Sequence, residues 1–180
     1  MWCTDITEHP PTGTGKVYCA AVLDVFTRKI VGWSIADHMR SELVVDALQM
    51  AIWRRHPPAP GAIVHADRGS QYTSWIFGHR LREAGLLGSM GRVASSVDNT
   101  MMESFWSSMQ RELLDRHAWS SREELASAIF EWIEGFYNPP SDATPASATG
   151  PPRTTSRTYT PPPPRRHDHH TATVRETGSG

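Results

Sequence analysis

Cysteine is scarce: Cys3 and Cys19 are too few for a disulfide framework or a zinc site, and both read as small strand hydrophobes. No apolar run approaches the roughly 18 residues of a membrane span, and the N-terminus lacks the basic and apolar regions of a signal peptide. A cytoplasmic protein with no membrane partner is expected. Net positive charge is lacking too: 18 basic against 19 acidic side chains leave −1, so no bulk field advertises nucleic acid. No internal repeat is found. What is present is unevenly placed, since all 7 Trp precede residue 139 while 9 of the 14 Pro lie in residues 139–180. The chain divides into a domain, 1–138, and a Pro-rich tail, 139–180, expected to be disordered.

Residues 2–8 and 17–24 are short apolar runs rich in β-branched and aromatic side chains, separated by Pro10, Pro11 and Thr-Gly-Thr-Gly. They predict a hairpin, and residues 30–36 add a third antiparallel strand. Ser41 is a candidate N-cap for a helix carrying Val44, Leu48, Ala51 and Ile52, which Pro57 and Pro58 end. A strand at 62–66, a helix at 74–84 closed by Gly85, and a strand at 86–90 follow. Residues 91–98 read as a mobile loop. Met102, Phe105, Met109 and Leu113 then form one helical stripe, and Ser121 with Glu124 forms a capping box ahead of Leu125, Ile129, Trp132, Ile133 and Phe136. The expected fold class is α/β with a mixed five-stranded sheet flanked by helices.

Three acids stand where secondary structure fixes geometry. Asp5 lies within an apolar strand, Asp67 ends a later strand, and Glu103 sits in the first turns of a helix. Two Mg²⁺ ions about 3.5–4 Å apart, held by carboxylates, are one way to drive phosphoryl transfer on DNA. Each acid also has an ordinary reading: an edge or turn Asp, a cap, or a Glu favoured by the helix dipole.

Together with their flanks they are more specific. Trp2-Cys3-Thr4-Asp5-Ile6-Thr7, Leu23-Asp24 with Arg28, Val31-Gly32-Trp33, His65-Ala66-Asp67-Arg68-Gly69-Ser70-Gln71-Tyr72, Asp98-Asn99 with Glu103-Ser104-Phe105, and Glu134-Gly135-Phe136-Tyr137-Asn138 cover nearly all of residues 1–138. In these strings the chain resembles the catalytic core of OrfB-type insertion-sequence transposases, akin to retroviral integrases and ribonuclease H-like in fold. The 35 residues between Asp67 and Glu103 match that family's Asp-Asp-Glu spacing. The resemblance implies that Asp5, Asp67 and Glu103 hold two Mg²⁺ ions, with Mn²⁺ as a substitute and Asp5 as the bridging ligand. It implies metal-dependent DNA strand cleavage and strand transfer, acting on transposon ends and target DNA as a homo-oligomer. The carboxylates are expected to converge on one point.

Arg68, Gln71 and Tyr72 follow the second Asp closely enough to touch a phosphate or base, although Tyr72 equally suits packing. Asn99, one turn before Glu103, orients it or caps the helix, capping being favoured. Gln110 stands where related proteins usually place a DNA-contacting Lys, a departure that Arg111 partly replaces. Thr14-Gly15-Lys16 is followed by Val17 and lacks the glycine spacing of a phosphate loop, so it reads as a hairpin turn. His167-Asp168-His169-His170 has no scaffold to close a metal site.

The resembling transposases carry helical DNA-binding segments before the first core strand, so end recognition is expected to be missing or supplied by a separate DNA-binding chain. The family continues past Tyr-Asn with a string like RRHSxLGxxSPxxYE, whereas this chain reads PPSDATPASATGPPRTTSRTY. Joining the third base of each codon to the first two of the next, wobble choices alone from the Ser141/Asp142 junction permit RRHSRLGHRSPADYE. That implies a frameshift near Pro139 or Pro140. A catalytically silent relic that folds and binds DNA weakly is the alternative function; a host nuclease of the same fold lacks support in the flanking strings.

Overall fold

The computed structural model of the protein describes residues 1–12, 15–55, 61–67, 69–90 and 96–138. The tail, 139–180, with its expected disorder and frame, lies outside the described residues. Strands β1 (Trp2–Thr12), β2 (Gly15–Asp24), β3 (Lys29–Ala36), β4 (Ile63–Ala66) and β5 (Leu87–Met90) form one sheet in the order β3-β2-β1-β4-β5. The first three are antiparallel; β4 runs parallel to β1 and β5 parallel to β4. Helices α1 (Ser41–Arg55), α2 (Trp75–Glu83), α3 (Ser96–Glu112) and α4 (Arg122–Glu131) complete the domain. This is the expected mixed sheet.

The unbroken apolar run of β2 arises because both faces of the sheet are covered. Cys19, Ala21 and Leu23 point to one face with Cys3, where Met102, Phe105, Met109 and Leu113 of α3 and Leu125 and Ile129 of α4 meet them. Ala20 and Val22 point to the other, with Trp2, Val64 and Ala66, beneath Leu43, Ala47 and Leu48 of α1 and Phe77 and Leu81 of α2. Both cysteines are buried and free, and burial pushes the Cys19 thiol up to about 12, which suits an inert strand hydrophobe.

Local signals act largely as read. Ser74 caps α2 by accepting from the Phe77 N–H, and Gly85 follows the helix at φ +67°. Ser121 caps α4 by accepting from the Glu124 N–H at 3.1 Å, while the Glu124 carboxylate accepts from the N–H of Ser120, one residue before the expected box partner. Two expectations are corrected. α3 begins at Ser96, so residues 96–98 belong to the helix and Asn99 lies inside it rather than at its cap; Ser96 starts the helix one turn earlier. After α4 the chain widens into a π-helical turn, Trp132–Tyr137, instead of continuing the α spacing. The turn packs Trp132 against Phe105 and brings Asn138 to β3, where its side chain donates to the Ile30 carbonyl at 2.7 Å and accepts from the Ile30 N–H at 3.0 Å. Glu134 accepts from the Trp33 indole at 2.8 Å and pairs with Arg54 at 2.7 Å. The Glu-Gly-Phe-Tyr-Asn string is thus a structural clasp.

Gly32 seats α1 on the sheet. A Cβ there would collide with the Ala47 carbonyl oxygen and lie 2.6 Å from the Ala51 nitrogen and 2.9 Å from the Ala51 Cβ. Those neighbours are mostly backbone and have little room to give. Gly32→Ala is expected to lower stability by roughly 1–3 kcal/mol, the range for overpacking a tight contact. Urea unfolding followed by circular dichroism checks this, and an unchanged midpoint would contradict the close approach.

Candidate active site

The parallel register of β4 on β1 sets the first two acids side by side. Trp2 pairs with Val64, Cys3 with His65 and Thr4 with Ala66. One step further along each chain come Asp5 and Asp67, at the carboxyl end of β4, and neighbouring strands lie about 4.8 Å apart. Ligands in open α/β sheets characteristically bind at such strand ends. The third acid arrives from above, because Met102 and Phe105 are drawn into the core against β1 and β2 and carry Glu103 with them. Cys3, Thr4, Asp5, His65, Asp67, Met102 and Glu103 line one cavity of about 80 Å³.

Asp5 is half-buried while Asp67 and Glu103 are exposed. The Asp5 carboxyl is held above the ordinary carboxylate range. Burial is the main cause and the charges of Asp67 and Glu103 add to it, while the Ile6 N–H and the Trp106 indole act in the opposite direction. The expected convergence is met only as a shared cavity. Among the described residues no three His, Cys, Asp or Glu side chains close into a ready-made metal cage. The donors nevertheless suit a hard divalent cation in kind, being carboxylate oxygens that form no salt bridge with another side chain among the described residues.

The other predicted residues separate. Tyr72 is 3% exposed, its ring against Phe77 and its hydroxyl 3.4 Å from Thr4 Oγ1. It is a core residue rather than a DNA contact, because the strand-end turn folds it inward beneath α2. Gln71 donates from Nε2 to the Met39 carbonyl at 3.2 Å. Arg111 is exposed on the last turn of α3, bordering an open recess with Thr7, His9, Trp106, Ser107 and Gln110. Gln110 donates to Asp115 at 2.5 Å. Arg68 and the side chain of Asn99 lie outside the described residues.

Two neighbours of the acids carried no assigned role in the sequence. His65 is buried in the cavity wall, with Nδ1 3.3 Å from Ser89 Oγ. Trp106 donates from Nε1 to Asp5 Oδ2 at 3.0 Å. His65 stands two residues before Asp67, and that spacing, which puts both on one face of a strand, is the signal that could have pointed to it; nothing local signals the Trp106 bond. A larger open groove of about 570 Å³, lined by Trp33, Ile35, Met50 and Phe130 among others, holds none of the predicted site residues.

An open sheet ordered β3-β2-β1-β4-β5, with one acid within its central strand, a second at the carboxyl end of the neighbouring parallel strand and a third on the helix packed against them, is ribonuclease H-like and of the integrase type. The Integrase core domain family matches residues 1–96, and the chain belongs to it. That match includes Asp5 and Asp67 and stops short of Glu103. The transposase for insertion sequence element IS904 of Lactococcus lactis subsp. lactis (strain IL1403) is 44% identical over 138 residues, 77% of this chain and 54% of that protein. The transposase for IS629 of Shigella sonnei is 39% identical over 138 residues, 77% of this chain and 46% of its own length. Transposase InsF for IS3A of Escherichia coli (strain K12) is 40% identical over 137 residues, 76% and 47% respectively. The resemblance to OrfB-type transposases therefore holds, and the chain spans about half the length of the curated relatives it matches. Among solved structures, the catalytic core domain of BIV integrase aligns with TM-score 0.57 at 14% identity, over 75% of this chain and 83% of that one. The HTLV-2 integrase catalytic core domain in complex with magnesium gives 0.54 at 18% identity, over 73% and 81%. These likenesses carry the fold alone. Among the described residues no helix is long and apolar enough to cross a membrane.

His9 lies on β1 four residues beyond Asp5 and is 2% exposed; burial pushes it down to about 4. Its Nε2 meets no hydrogen-bond partner among the described residues. The unfolded chain then binds the proton more readily, so this contribution is complete above pH 6.5 and is lost as pH falls towards 4. The slope is at most about 1.4 kcal/mol per pH unit, roughly 3 kcal/mol across the window. Urea unfolding between pH 4.5 and 7.5 is expected to be flatter by that slope in His9→Leu than in the native chain. Equal slopes would show that His9 is not a neutral buried group.

Proposed function

We propose that residues 1–138 form a transposase catalytic core that cleaves and joins DNA strands, with Asp5, Asp67 and Glu103 as its catalytic and metal-holding residues. The observation that carries this reading is their meeting at one small cavity from three different elements. The names of the relatives, transposases throughout, and the magnesium complex of the HTLV-2 integrase core agree with it. Two Mg²⁺ ions, or Mn²⁺ in their place, would supply activation of the attacking oxygen and charge neutralisation at the leaving one. The chain's own residues do the remainder. Asp5, fixed on the central strand and partly dry, would be the innermost of the residues holding the cations. Asp67 and Glu103, exposed on its two sides, open the site to a DNA backbone. Arg111 supplies a phosphate contact at the far end of α3, with Gln71 and Arg68 as further contacts beside Asp67.

DNA ends and target DNA are the proposed partners, engaged by a homo-oligomer and with a separate DNA-binding chain recognising the ends. The tail, 139–180, is proposed to contribute no part of this site. The competing relic reading draws on the open arrangement of the carboxylates, which do not form a closed cage.

One experiment separates the two. The full chain with Mn²⁺ is expected to nick supercoiled DNA weakly and without sequence preference, and Glu103→Gln is expected to reduce nicking by roughly a hundredfold or more, the scale of losing one charge-stabilising group in an active site. Circular dichroism should show the variant folded. Equal nicking by both proteins would refute the assignment, and a native chain that binds DNA but never nicks it would establish the relic.

A further inference from the structure

Asp5 is held from across the fold. Trp106 lies one helical turn after Glu103 on α3, half-buried, with its ring tilted against Phe105 at a centroid distance of 4.5 Å. Its Nε1–H reaches Asp5 Oδ2 on β1 at 3.0 Å, joining residues 101 apart in sequence. An indole nitrogen only donates, so the polarity of this bond is fixed whatever the surroundings. The terminal torsion of an aspartate is broad and roughly two-fold, so the carboxylate can swing about a local donor such as the Ile6 N–H unless a second neighbour, from another element, anchors an oxygen. Ring packing alone would be served equally by Phe. The Trp106 indole also walls the recess shared by Thr7, His9 and Arg111, and so stands beside the carboxylate cavity rather than in it.

We propose that Trp106 is the positioning residue of the site: its indole N–H fixes the rotation of the Asp5 carboxylate, and thereby ties the orientation of the strand acid to the seating of the helix that carries Glu103. The inference rests on reading the carboxylate cavity as a divalent-cation site. Partners that orient a metal ligand in this way typically change metal affinity ten- to a hundredfold when removed.

The test uses the full chain with Mg²⁺ alone as the probe. In ¹⁵N-tryptophan-labelled protein the Trp106 indole resonance, assigned by its absence in Trp106→Phe, is expected to move on Mg²⁺ titration with the same midpoint as Mg²⁺-induced thermal stabilisation. Trp106→Phe should raise that midpoint at least tenfold. Ile129→Val, which loosens the same core from α4 rather than from the helix that carries Glu103 and Trp106, should lower the melting temperature yet leave the midpoint unchanged. If native protein responds to Mg²⁺ but the indole resonance does not move, or Trp106→Phe keeps the native midpoint, the positioning role is overturned while the cation site stands. If native protein shows no Mg²⁺ response by either measure, the cation site falls and the positioning role with it. The indole titration needs the variant only for assignment, which Asp5→Asn also supplies by shifting the same peak, so a poorly folding Trp106→Phe still leaves the proposal open to refutation.

Discussion

The structure depends on apolar packing that holds three negative charges together. Met102, Phe105, Met109 and Leu113 clamp α3 onto the inner face of β1 and β2, and the parallel register of β4 on β1 sets Asp67 beside Asp5. Neither arrangement can relax to separate the acids without opening the core or slipping a strand, and a one-residue slip would turn every side chain of that strand to the opposite face. The domain thus stores electrostatic repulsion on its central strand, beside the carboxyl end of β4. Burial of Asp5 sharpens that repulsion, and the Trp106 and Ile6 donors temper it.

The same constraint explains the division of labour among the family-like strings. Those around Asp5, within β1, and Asp67, just past β4, supply acids. Others are architectural: Gly32 permits α1 to touch β3, Glu134 joins Trp33 to Arg54, and Asn138 satisfies both backbone groups of Ile30. The clasp matters to the site because the π-helical turn also packs Trp132 and Tyr137 against Phe105, which lies beneath Glu103 and Trp106. Distant aromatic packing is therefore part of what keeps the helix acid in place.

Much of this was legible in the sequence because it is written locally. Two-sided apolar runs marked β2 and β4, the Met102 to Leu113 stripe marked α3, and turn residues such as Gly85 marked the ends. The three acids were found through their flanking strings, with strand and helix placement in agreement. What escaped was tertiary. The Trp106–Asp5 bond joins residues 101 apart and leaves no periodic trace. Tyr72 looked equally suited to DNA and to the core, and only the inward fold of the turn after β4 decided between them. The start of α3 was misplaced by three residues because Asn99 is as good a cap by type as the serines before it. The π-helical turn was hidden because its apolar residues also satisfy an ordinary helical spacing.

The central claim is that the fold confines charge which a divalent cation completes, and thermal melting of the native chain and Asp5→Asn with EDTA or rising MgCl₂ tests it directly. The raised Asp5 value means that its ionised form weighs against folding as pH climbs through that value, so at neutral pH the metal-free native protein carries an unfavourable charge. Asn keeps an oxygen for the Trp106 indole and removes the charge. The account predicts that Asp5→Asn melts higher than the native chain in EDTA, and that Mg²⁺ raises the native melting temperature by linkage while leaving the variant nearly unchanged. A variant that melts lower in EDTA, or that gains as much from Mg²⁺ as the native chain, would contradict it.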